Sequence, residues 1–83
     1  QITQITSPQL RAARGALCLS IREVSLLTEI GPATLVRYEA AEGIPPSRKG
    51  HLATLRQFYE SRGIEFIGSA EDRPGIRIKG GIK

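Results

Sequence analysis

Residues 27–43, LTEIGPATLVRYEAAEG, decide the fold. Gly31 followed by Pro32 marks a helix start, because proline's missing N–H costs nothing at the first helical position. Leu35 and Tyr38 lie three apart and share one inward face. Gly43 supplies a left-handed stop. This stretch predicts a third helix over about 32–41, preceded by a turn of three residues, Glu29 to Gly31.

Upstream, Ser20 followed three residues later by Glu23 is a capping box. It opens a short second helix over 21–28 whose apolar face is Val24, Leu27 and Ile21. Before it, Ser7 as cap and Pro8 at the first helical position open a first helix over 8–18, with Leu10, Ala13 and Leu17 at helical spacing. Residues 1–6 read as an N-terminal tail. Downstream, two prolines make IPPSRKG a loop. Ser47 caps a fourth helix over 48–61, with Leu52, Leu55, Phe58 and Tyr59 as its stripe and Gly63 as its stop. The period then changes from helical to alternating. IEFI and IRIK place Ile64, Phe66, Ile76 and Ile78 on one face of a hairpin spanning 63–79, with the turn-rich GSAEDRPG between the strands. Residues 80–83 read as a second tail. The expected class is therefore mainly α: four helices followed by a C-terminal β-hairpin.

Composition narrows the function. A chain of 83 residues accommodates one small domain. No apolar run reaches the ~18 residues of a membrane span, and no secretion signal is visible. Twelve Lys and Arg against eight Asp and Glu give a net charge of +4, which favours an acidic partner. Cys18 is the single cysteine and reads as a small core residue on helix 1. His51 is the single histidine, so a His-based metal site lacks partners. No catalytic constellation is present, and no cofactor or metal is expected. The chain reads as a non-enzyme.

Four short helices in this order, the second and third joined by three residues, form a helix-turn-helix arrangement. The stretch from Ser7 to Pro46 resembles the Cro/C1-type (XRE-like) family of phage and bacterial regulators. The matching elements are Ser20, the Val24/Leu27 spacing, Ile30, Ala33-Thr34-Leu35, and Tyr38-Glu39 leading to Gly43. The resemblance covers residues 7–62.

The resemblance implies a cytoplasmic, nucleoid-associated repressor from a bacterium or mobile element, bound to double-stranded DNA. It places the start of helix 3 in the major groove, with Pro32, Ala33, Thr34 and Arg37 as the base-reading residues. It assigns phosphate contacts to Ser20, Ile21, Arg22, Gly31, Ser47, Arg48, Lys49 and His51. It also implies an interior ion pair between Arg14 and Glu39. Three features depart from the family. Ile21 replaces a common glutamine. Glu29 replaces a common turn glycine. Pro32 and Ala33 cannot make bidentate bonds to base edges, leaving Arg37 as the strongest direct reader and Thr34 and the thymine-methyl contacts as secondary ones.

An isolated hairpin is marginal in water. It must pack on its own helices or pair with a second chain, so Ile64, Phe66, Ile76 and Ile78 are assigned to hairpin packing or to a homodimer. A two-fold dimer would set two reading helices about 34 Å apart on a near-palindromic site. The alternative function is a protein-binding module, antitoxin-like or anti-activator, in which Ile21, Pro32, Ala33 and Val36 form an apolar contact surface.

Overall fold

The computed structural model describes residues 5–41, 50–69 and 72–79. Four helices are followed by two strands: α1 (Ser7–Ala16), α2 (Ile21–Thr28), α3 (Pro32–Ala40), α4 (His51–Ser61), β1 (Ile64–Ser69) and β2 (Asp72–Ile78). This is the mainly α arrangement with a C-terminal antiparallel hairpin that the sequence predicts.

One core joins all six elements. Leu10 and Ala13 of α1, Val24 of α2, Leu35 and Tyr38 of α3, Leu55 and Tyr59 of α4 and Ile64 of β1 are buried together. Tyr59 stands edge-on to Phe58 and to Phe66, at centroid distances of 5.0 and 6.2 Å, so aromatic packing ties α4 to the hairpin.

The first helix starts differently from expectation. Thr6 is its cap: the Thr6 hydroxyl accepts from the Gln9 N–H, and Gln9 Oε1 accepts from the Thr6 N–H at 2.9 Å, completing a capping box. Ser7 is not the cap, because its hydroxyl is drawn across to α3. Residues 5 and 6 are not tail either. Ile5 is 1% exposed and belongs to the core. Residues 1–4 and 80–83 lie outside the described residues.

The helix ends at Ala16 rather than residue 18. Cys18 follows in the left-handed region (φ 58) and is exposed, so it is not a core residue. Helix α2 has the predicted limits and the predicted Ser20–Glu23 box. Its inward stripe is narrower than expected. Val24 is buried and Ile21 packs at the core's edge, but Leu27 is 50% exposed and Leu26 75%. An eight-residue helix makes barely two turns and can aim only one row of side chains at the core.

Helix α4 begins at His51 with Gly50 at its cap (φ 71), three residues later than predicted. Ser47, the predicted cap, and Gly43, the predicted stop of α3, are outside the described residues. Gly63, at φ 92, turns the chain out of α4 as predicted.

The hairpin strands run further into GSAEDRPG than its composition suggests. Ile64 pairs with Ile78, Glu65 with Arg77, Phe66 with Ile76, Ile67 with Gly75 and Ser69 with Asp72. The register shifts between Ile67 and Ser69, where Gly68 faces two residues of β2 and takes φ 78. Pro74, which has no N–H for the ladder, falls at this bulge.

The hairpin is docked on its own helices. Gln9 Nε2 donates to the carbonyls of Ile67 (3.0 Å) and Gly75 (2.8 Å), one on each strand. Ile64 is fully buried and Phe66 and Ile76 are partly so, which gives these three the packing role. Ile78 is 55% exposed and takes little part in the core. None of the helices in the described residues is long and apolar enough to cross a membrane.

Candidate nucleic-acid interface

Helix α3 is built to be held from one end. The last four carbonyls of a helix have no intrahelical partner. Here α1 supplies partners for two of them. The Ser7 hydroxyl donates to the Tyr38 carbonyl at 2.5 Å. The Arg11 guanidinium donates to the Glu39 carbonyl.

The Glu39 side chain is clamped as well. Arg14 Nε donates to Oε2 and a terminal nitrogen donates to Oε1, both at 2.9 Å, in a fork-on-fork pair. The remaining terminal nitrogen of Arg14 donates to the Leu19 carbonyl at 3.0 Å. This is the interior ion pair implied by the resemblance. The bond to Glu39 holds the Arg14 guanidinium above even its usual basicity, against the opposing pull of burial. Burial pushes the nearby Tyr59 phenol up strongly, and the Glu39 charge adds to that push.

The other end of α3 is bare. Gly31, Pro32 and Ala33 are exposed and Thr34 is half-buried there, while Arg37, also exposed, lies in the last turn beside the anchored residues. Gly31 offers no side-chain cap. All four residues assigned to base reading therefore lie on one short helical stretch, while Leu35 and Tyr38 hold its back to the core. Val36, 53% exposed, adds an apolar side chain to this face.

Of the residues assigned to phosphate, Ser20 and Arg22 are exposed and Ile21 is half-buried at the start of α2. The capping box has already used two donors there, the N–H groups of Ser20 and Glu23. Those of Ile21 and Arg22 remain for an anion, beside the positive end of the helix. The Glu23 carboxylate sits at the same end and opposes one.

His51 opens α4, and its Nδ1 lies 2.7 Å from the Tyr38 hydroxyl. Ser47, Arg48 and Lys49 lie outside the described residues. Glu29 ends α2 in the left-handed region (φ 65, ψ 20), the conformation a turn glycine adopts freely.

An open groove of about 340 Å³ runs beside this surface, lined by Arg11, Arg14, Ile21, Val36, Glu39 and Ala40. Among the described residues, no group of His, Cys, Asp and Glu could hold a metal ion.

Two residues of the framework escaped the sequence reading. Nothing in the spacing of Arg11 signals that its guanidinium reaches a carbonyl of α3. Gln9 did leave one: Thr6-x-x-Gln9 is a capping-box spacing. Comparison with protein-family models, with curated proteins and with solved structures found no match to this chain.

Proposed function

We propose that this protein is a sequence-specific DNA-binding regulator, a dimeric repressor in which α2 and α3 act as a helix-turn-helix of the Cro/C1 type. The observation that carries this reading is the asymmetry of α3. Tyr38 and Glu39 in its last turn are fixed to α1 by Ser7, Arg11 and Arg14, while Pro32 and Ala33 in its first turn and Arg37 on its outer side stand exposed, with Thr34 half-buried between them.

Arg37 reads a guanine through O6 and N7, Thr34 contributes a hydrogen bond, and Ala33 and Pro32 meet thymine methyl groups. Ser20, Arg22 and the N–H groups of Ile21 and Arg22 hold the phosphate backbone, together with Gly31 and the segment Ser47 to His51. Most of the affinity comes from phosphates and falls steeply with salt. A two-fold dimer on a near-palindromic operator doubles each contact. Because the hairpin's apolar face is largely spent on its own core, the dimer contact draws on what remains outside, including Ile78.

The test is a titration against the DNA upstream of the protein's own gene and against a scrambled duplex, at two salt concentrations. We expect a preference of ~10³ or more for the native duplex, with a steep salt slope. Weak and equal binding to both would count against it.

A second reading is favoured by one observation. Leu26, Leu27 and Val36 are large apolar side chains left half or more exposed on α2 and α3. With Ile21, Pro32 and Ala33 they offer a protein partner an apolar surface. Under that reading, Val36→Asp abolishes capture of the partner, whereas Arg37→Ala leaves it intact.

A further inference from the structure

Tyr38 and His51 form a polar pair that the helical packing does not require. Tyr38 is 3% exposed, and its hydroxyl meets Nδ1 of His51 at 2.7 Å. The rings lie 5.8 Å apart and 57° from parallel, so hydrogen bonding rather than stacking sets the orientation. The direction of the bond follows from the phenol. Among the described residues, no other group meets the Tyr38 hydroxyl. If it only accepted from Nδ1–H, its own proton would have no partner among the described residues in a buried site. Donation satisfies it. An imidazole that accepts at Nδ1 carries its proton on Nε2.

We propose that Tyr38 is a positioning residue: from the back of the reading helix it fixes the ring of His51, at the start of α4, as an Nε2–H donor to a DNA phosphate. This rests on the DNA-binding reading above. It joins two functions of the interface. Tyr38 lies one residue beyond Arg37, and its carbonyl is held by Ser7. The helix that reads bases therefore also sets the ring that makes one of the backbone contacts, so that contact is tied to the position of the reading helix.

Two measurements on the intact chain test this. The first needs no DNA. Nitrogen-resolved NMR of the His51 ring, at a pH where it is neutral, should show the proton on Nε2. It should also show an Nδ1 resonance displaced by the accepted hydrogen bond, and Tyr38→Phe should remove that displacement. A proton on Nδ1, or a ring unchanged by Tyr38→Phe, would overturn the proposal.

The second is a double-variant cycle against the native duplex. His51→Ala should weaken binding about tenfold, on native and scrambled duplexes alike, as expected for one lost bond to a charged oxygen. Tyr38→Phe should lose part of that factor in the wild-type background and nothing further in His51→Ala. His51→Gln, which keeps a donor of similar reach, should bind more tightly than His51→Ala. Equal losses from Tyr38→Phe in both backgrounds would make Tyr38 a packing residue only and overturn the proposal. So would wild-type affinity in His51→Ala. If the wild-type chain binds no duplex while the NMR signature is intact, the DNA reading fails and takes the phosphate role with it.

Discussion

The two ends of α3 are treated in opposite ways. At the C-terminal end, two carbonyls and a carboxylate are bound by Ser7, Arg11 and Arg14, all from α1. At the N-terminal end, a glycine and a proline begin the helix with no side-chain cap. The contrast shows how a nine-residue helix can be rigid and still offer a free face. Rigidity comes from bonds to groups that the helix itself leaves unmet, and they cost the exposed half nothing. Five substitutions would break or sharpen this contrast.

The largest effect is expected at the anchored end. Glu39→Ala leaves the Arg14 guanidinium without its partner. Breaking a well-buried pair costs roughly 3–5 kcal/mol, and the partial exposure of Arg14 lowers that to about 2–3 kcal/mol. Chemical denaturation should show it as a fall in midpoint. A midpoint within error of wild type would mean that α3 is not held by this pair.

Next comes Gln9→Ala, which removes half of a capping box and both bonds to the hairpin. A loss of about 2 kcal/mol is expected. Hydrogen exchange should accelerate in β1 and β2 more than in α3. Uniform acceleration would show that Gln9 does not hold the hairpin specifically.

At the exposed cations Arg37 of α3 and Arg22 of α2, stability should hardly respond while, under the proposed function, recognition should. Arg37→Ala is expected to cost about 1–3 kcal/mol of discrimination at one base pair. Arg22→Ala should weaken all duplexes alike and reduce the salt slope by about one. A uniform loss from both would reassign Arg37 to the backbone.

The smallest effect is expected at the turn. Glu29→Gly relieves a left-handed residue but adds freedom to the unfolded chain, so a gain of about 0.5 kcal/mol is expected. Thermal unfolding should register it as a small rise in midpoint. A fall would show that the Glu29 side chain is stabilising where it stands.

Much of this arrangement was legible because caps and stops are local. Ser20 with Glu23 fixed α2, Gly31-Pro32 fixed the start of α3, and Gly63 fixed the end of α4. Alternation in IEFI and IRIK found the strands. The failures were competitions that only the folded chain decides. Both Thr6 and Ser7 could cap α1. Thr6 does so because Ser7 has a better use against the Tyr38 carbonyl, thirty-one residues away. Leu27 matched the spacing of Val24, yet a helix of two turns buries one row. The strands reached into a turn-like composition because a bulge at Gly68 absorbed Pro74. Of the candidate site, the bare residues of α3 and the Arg14–Glu39 pair were anticipated through the resemblance. The Tyr38–His51 bond was not, since nothing in the spacing brings residue 51 to residue 38.

The bonds of Gln9 reach from the ninth residue to the seventy-fifth. On a ribosome, α1 is made early, yet its amide must wait for β2 before its last partner exists. Domains complete their folding as units. A nascent chain halted after α4 would therefore have α3 written but the Gln9 amide still without its hairpin partners. The finished fold would come late and all at once, with the emergence of β2.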